Sequence, residues 1–177
     1  APFTVEFVEE PRVIDVGGVQ TRIVLDRVDR LADGTFAVID YKTGASARPA
    51  AWMGERPELP QLPLYVRAIG QEQVSAVAFG VVCTGSTEYR GFARDGEVFP
   101  QLKPFDAASA PFKDYASWGD LLQAWNRRLE SLAREHAQGD ARLAPNPARA
   151  CRYCHLRGVC RSAQALMEPE EGDDAAG

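Results

Sequence analysis

The sequence predicts an α/β domain, a β-sheet flanked by helices, and three observations carry that expectation. The first 42 residues read as period-two strands joined by short turns. A second, more apolar strand pair follows near residues 74–92. Two segments of helical period stand between and after these strands.

Residues 3–9, 12–16, 19–31 and 35–42 alternate apolar and polar side chains. Gly17-Gly18 and Ala32-Asp33-Gly34 punctuate them, so a meander is expected. Glu58–Ile69 reads as a helix whose Pro60 and Pro63 must lie in or near its first turn, where a missing N–H costs least. Val74–Cys83 and Thr87–Phe92 form the second strand pair. Ser117 with Asp120 makes a capping box that opens a helix running to about Gln138. Along it Trp118, Leu121, Leu122, Trp125, Leu129 and Leu132 recur at helical spacing, which marks a core stripe. There is no internal repeat and no heptad run.

Composition fits a single soluble domain: 177 residues, 45% apolar and 25% charged. No apolar run approaches the length needed to cross a bilayer, and the N-terminus carries neither a secretory nor an organellar leader, so the chain reads as cytosolic. It opens without Met on a strand pattern, which suggests a piece of a longer protein with further segments upstream. The net charge of −5 resides in the end of the chain. Glu168, Glu170, Glu171, Asp173 and Asp174 fall in the last ten residues, leaving 20 basic and 20 acidic side chains in residues 1–167. Residues 168–177 are expected to be a solvated, disordered tail. Arg142, Arg149, Arg152, Arg157 and Arg161 share a stretch without a carboxylate, either a solvated basic face or a phosphate-facing patch.

The most informative stretch is FAVIDYKTG, Phe36–Gly44. Val38, Asp40 and Lys42 alternate with Ile39 and Tyr41, so Asp40 and Lys42 share one face of a strand. The position of Asp26 relative to them depends on the turn. A three-residue loop with Gly34 left-handed pairs Leu31 with Thr35 and sets Asp26 opposite Asp40. A two-residue Asp33-Gly34 turn puts the acids on opposite faces unless a bulge intervenes. In the first register two carboxylates have Cβ atoms about 5 Å apart, which is unfavourable without a cation. Lys42 supplies part of that charge. Two converging carboxylates with room for water are what Mg²⁺ requires. The plainer alternative is a surface Asp–Lys salt bridge in a hairpin. In the following segment PQLPLYVRA, Gln61 and Tyr65 lie four apart on one helix face.

The run LDRVDRLADGTFAVIDYKTG followed by PQLPLYVRA resembles the RecB-like branch of the PD-(D/E)XK nucleases, which includes nuclease domains of bacterial helicase-nucleases such as AddB. The resemblance spans roughly residues 3–161. It implies a restriction-endonuclease-like core, a mixed central sheet flanked by helices. It also implies Mg²⁺- or Mn²⁺-dependent hydrolysis of DNA, exonucleolytic rather than endonucleolytic, in a repair or recombination protein. Carried over by motif, Asp26 and Asp40 correspond to the metal-binding acids. Lys42 corresponds to the lysine that orients water or stabilises developing charge, and Gln61 and Tyr65 to the downstream helix motif. Two features depart from the family pattern. Ile23 stands where many relatives have Gly. Neither His136 nor His155 occupies the place of the family's upstream metal-binding histidine, whose helix would have to precede Ala1.

Arg27, Asp29 and Arg30 read as an ion-paired outer face. Lys42-Thr43 resembles the end of a phosphate-binding loop, but that motif needs glycines before the Lys and a helix after it, so nucleotide binding is not expected. CRYCHLRGVC places Cys151, Cys154 and Cys160 in a C-x2-C-x5-C array, which in a cytosolic chain points to metal ligation rather than disulfides. The family resemblance implies a [4Fe-4S] cluster in the full-length protein, with a fourth cysteine upstream. Cys83 reads as a core thiol, so the cluster is expected to be incomplete in this chain. Zinc with His155 is the alternative.

The expected organisation is thus a nuclease core over residues 1–167, with the cysteine array at 151–160, followed by the acidic tail. DNA and the rest of the polypeptide, helicase-like or joined by a helicase-nuclease subunit, are the expected partners. A noncatalytic DNA-binding scaffold and a metal-stapled interaction module are the competing readings.

Overall fold

The computed structural model describes residues 3–43, 47–106, 112–140, 142, 151 and 154–160. Its contacts divide the chain into two units, 1–139 and 140–177.

The first unit is built on a six-stranded mixed sheet whose spatial order equals the chain order, β1-β2-β3-β4-β5-β6. The strands are β1 (Phe3–Val16), β2 (Val19–Leu31), β3 (Phe36–Lys42), β4 (Val74–Cys83), β5 (Ser86–Ala93) and the two-residue β6 (Lys103–Pro104). The β1–β2, β2–β3 and β4–β5 pairs are antiparallel, whereas β3–β4 and β5–β6 are parallel. The β3–β4 connection carries helix α1 (Gln61–Ile69), as a parallel pair requires a crossover. Helix α2 (Trp118–Ala137) follows β6.

Two sequence expectations change. Residues 3–9 and 12–16 form one continuous 14-residue strand. Pro11 and the acids before it suggested a break, but β1 is a sheet edge, where a proline needs no ladder donor on its open side. The irregularity is absorbed instead by a register shift between Val5 and Phe7 and by Glu9 at φ 49°. Helix α1 starts at Gln61 rather than Glu58, so Pro60 takes the N-cap and Pro63 the first turn.

The turn into β3 is the three-residue form: Gly34 N–H donates to the Leu31 carbonyl at 3.0 Å, and Leu31 N–H to the Thr35 carbonyl at 2.8 Å. Gly34 at φ 83° makes this turn possible. Its register, from Arg30↔Phe36 to Arg27↔Ile39, points the next step at Asp26 and Asp40.

The front face of the sheet packs Ile23, Leu25, Val28, Val38, Val77, Phe79 and Val81 against α1 and α2. Trp52 lies at the centre of this core, 4.8 Å from the Phe79 ring and 5.8 Å from Trp125. The stripe of α2 is buried at Trp118, Leu121, Leu122, Trp125 and Leu129, and Ser117 caps it by accepting the Asp120 N–H at 3.1 Å. Arg67 ties α1 to its neighbours, donating to the Asp15 carbonyl at 2.7 Å, to Glu130 at 2.8 Å and to Asn126. The back face carries a smaller cluster, with Leu31, Ala37, Ala76 and Ala78 under Phe99 and Leu102. Phe3, Val5, Val8, Val13, Val24, Tyr41 and Val82 remain exposed, all on that face by strand alternation.

In the second unit the described residues include the short helical turn α3 (Arg157–Cys160). Arg142 pairs with Asp140 at 2.5 Å while its side chain stays 78% exposed. Arg149, Arg152 and Arg161, and the tail at 168–177, lie outside the described residues.

Candidate active site

Strand β3 ends on the front face with Asp40 and then Lys42. Asp40 is fully buried, beside Phe79, its partner on β4. The Lys42 ammonium lies 2.6 Å from Asp40 Oδ2, yet neither Asp40 oxygen has a hydrogen-bond partner. The contact is therefore an ion pair whose angles fall outside hydrogen-bonding geometry. Burial pushes the Asp40 carboxyl up to about 6; Lys42 opposes the rise and Asp26 adds to it.

Helix α1 closes the network. Lys42 Nζ donates to Gln61 Oε1 at 2.9 Å, Gln61 Nε2 to Tyr65 Oη at 3.2 Å, and Tyr65 Oη to Asp26 Oδ1 at 3.1 Å. Gln61 and Tyr65 sit one helical turn apart, the spacing that stacks them on one face. The second Asp26 oxygen accepts the backbone N–H of Tyr41 at 3.0 Å. Burial, and then the Asp26 charge, push the Tyr65 hydroxyl up, so it stays a neutral donor at ordinary pH.

The structure thus brings Asp26, Asp40, Lys42, Gln61 and Tyr65 into one hydrogen-bonded and ion-paired circuit. A divalent hard cation fits it. The donor set is carboxylate oxygen, and the Asp40 oxygens are buried without donors. Among the described residues no group of three or more His, Cys, Asp or Glu gathers to hold a metal, so the site offers two carboxylates and leaves the remaining positions to water or phosphate oxygens, as Mg²⁺ tolerates.

The cysteine array behaves differently. Cys151, Cys154 and Cys160 are in no disulfide, and among the described residues they join no group of three or more metal-ligating side chains. Cys154 Sγ accepts the Leu156 N–H at 3.4 Å, and His155 is exposed. A [4Fe-4S] cluster takes four thiolates, and this array supplies three. Cys83 is half-buried at the end of β4, its Sγ 3.7 Å from the Thr43 carbonyl.

The residues that sequence reasoning missed are Tyr41, whose backbone N–H holds Asp26, and Arg27, which donates to the Tyr41 hydroxyl at 3.1 Å. The signal was available, because a register that pairs Arg27 with Ile39 leaves Tyr41 a diagonal neighbour on the same face, within reach of a long side chain.

A mixed sheet presenting two carboxylates and a lysine on neighbouring antiparallel strands, with a crossover helix against them, is the restriction-endonuclease-like α/β architecture. The chain belongs to the PD-(D/E)XK nuclease superfamily, whose family model matches residues 1–161. Among solved structures it is similar to the one titled "Crystal structure of SSO0001", with 17% identity and a TM-score of 0.42. That match covers 89% of this chain and 60% of the other, so the chain spans 60% of that protein's length. No curated protein matches.

Proposed function

We propose that this domain is a Mg²⁺-dependent DNA nuclease that hydrolyses phosphodiester bonds from a strand end, within a RecB-like repair or recombination protein. One observation carries the reading: Asp40 is buried with neither oxygen hydrogen-bonded, and Asp26 and Lys42 stand against it. A buried carboxylate with a single ion-pair partner and no hydrogen bond is costly. A cation shared with Asp26 removes the cost.

When bound, the metal supplies a water of lowered pKa and positive charge at the scissile phosphate. Asp26 and Asp40 would hold it. Lys42 then faces the charge that develops on the phosphate oxygens. Gln61 holds the ammonium of Lys42, and Tyr65 fixes one oxygen of Asp26 while the Tyr41 N–H holds the other. Both α1 residues are positioning groups, since their polar atoms are engaged with side chains of the site.

The test is degradation of DNA by the protein with Mg²⁺, Mn²⁺ or a chelator. Cutting is expected with either metal and is expected to vanish with chelator, with Asp40→Ala and with Lys42→Ala. Unchanged cutting by a folded Asp40→Ala protein sinks the reading and leaves a DNA-binding scaffold as the alternative. End-labelled linear and closed circular DNA separate exonucleolytic from endonucleolytic action.

A further inference from the structure

Each acid is followed in the chain by a residue that alternation sends to the back face: Arg27 after Asp26, Tyr41 after Asp40. There they meet. Arg27 grips Asp29 with two bonds, Nε to Oδ1 at 2.7 Å and Nη2 to Oδ2 at 2.8 Å, and its third nitrogen donates to Tyr41 Oη at 3.1 Å. Asp29 is only 1% exposed, so this fork is held in the sheet rather than waving in solvent. The Tyr41 ring lies against Gly80, where an added Cβ would stand 2.8 Å from a ring carbon.

Asp26 sits where the ladders on both sides of β2 are interrupted. Pairing of β2 with β3 runs as far as Arg27↔Ile39. On the other side, Val8↔Arg27 is followed by Glu10↔Leu25, with the intervening Glu9 at φ 49°. Asp26 therefore stands beside an irregular step of the ladder, and its own carboxylate takes the Tyr41 N–H. Two bonds therefore tie β2 to β3 at this step, the Tyr41 N–H to Asp26 on the front and Arg27 to the Tyr41 hydroxyl behind.

We propose that Arg27 and Tyr41 are positioning residues: their bond across the back face sets the separation of Asp26 and Asp40 on the front, and so the affinity of the site for a divalent cation. The inference rests on the metal-site reading above. Mg²⁺ accepts little departure from its ligand distances, so a small relaxation of the two strands translates into weaker binding.

The experiment measures Mn²⁺ affinity of the intact chain from the spectrum of free Mn²⁺, alongside kcat and KM on DNA, for the wild type, Tyr41→Phe, Arg27→Met and Arg27→Lys. Tyr41→Phe removes one oxygen and keeps the ring on Gly80. It is expected to weaken Mn²⁺ binding about tenfold and to lower kcat while KM for DNA holds. Arg27→Met is expected to do at least as much, and Arg27→Lys to recover part of the loss, because an ammonium cannot reproduce all three bonds of the fork to Asp29 and Tyr41. Should Arg27→Met fail to fold, Tyr41→Phe alone decides. A wild type that binds Mn²⁺ and a Tyr41→Phe protein that binds it equally well overturn the inference alone. A wild type that binds no Mn²⁺ overturns the metal-site reading and this inference with it.

Discussion

The two faces of the β2–β3 hairpin use the same two strands and solve opposite problems. On the back, Arg27, Asp29 and Tyr41 satisfy one another: a buried carboxylate receives two guanidinium bonds, and the third goes to a hydroxyl. On the front, Asp40 is at least as deeply buried, with a lysine beside it but no hydrogen bond. Saturated polar groups in a sheet stabilise it, whereas a half-satisfied one is a liability that selection retains for use. Under the proposed function, this difference separates stability from chemistry, one residue apart along each strand.

The sharpest way to break the comparison is at Asp40. Asp40→Asn is expected to lower DNA hydrolysis by on the order of a thousandfold or more, measured as single-turnover cleavage with Mg²⁺. The same substitution is expected to stabilise the metal-free protein at neutral pH. The folded carboxyl at about 6 lies above its usual value of 3.8, so the fold favours the neutral form. That contribution is fully present below about pH 4 and is lost as pH rises through about 6, a span worth up to about 3 kcal/mol. Denaturant unfolding of both proteins across this window, without metal, checks the sign. Wild type must lose stability relative to Asp40→Asn as pH rises, and saturating Mg²⁺ must restore it.

On the other face the effects invert. Asp29→Ala strips the partner from Arg27 and is expected to cost about 3 kcal/mol, since one partner of a largely buried pair is left uncompensated. Denaturant midpoints measure it. If that loss is under about 1 kcal/mol, the back face is the solvated surface pair that the sequence suggested, and the contrast between faces disappears.

Gly80→Ala probes the same face sterically. Its Cβ would approach the Tyr41 ring to 2.8 Å and the Ile39 side chain to 3.4 Å. Overpacking of this kind is expected to cost about 2 kcal/mol. Displacement of the ring should also weaken the Tyr41–Arg27 bond, which a tyrosine-selective NMR signal would report.

Much of the front face was legible in the sequence because one turn decided it. Three residues ending in Gly34 determine which side chains of β2 and β3 face each other, and from there Asp26, Asp40 and Lys42 follow by alternation. Helix spacing alone put Gln61 and Tyr65 together. The start of α1 was misread by three residues because two prolines suit several positions of a first turn. The unity of β1 was hidden because Pro11 and the glutamates before it are strand-breaking in a central strand and harmless at an edge. The back-face link was missed for a subtler reason: Arg27 and Asp29 are two residues apart on one strand, a spacing that reads as a local ion pair and says nothing of a third partner fourteen residues away.

The smallest effect expected is at Tyr65, and it tests whether the front face is held from the helix as well as from behind. Tyr65 is nearly buried, at 2% exposure, and its hydroxyl accepts from Gln61 and donates to Asp26. Tyr65→Phe keeps the ring in the core and removes that oxygen alone. The Gln61 amide gains freedom, and one Asp26 oxygen loses a neutral donor while the other keeps the Tyr41 N–H. The stability cost is expected to be about 1 kcal/mol, the net worth of a partly buried hydrogen bond. Mn²⁺ affinity should fall less than with Tyr41→Phe, because the strands keep their spacing and only one carboxylate is free to rotate. If Tyr65→Phe weakens the metal more than Tyr41→Phe does, the helix rather than the back face sets the geometry of the site. The two substitutions made together separate the possibilities further: losses that add indicate two independent supports, and losses that do not add indicate a single one.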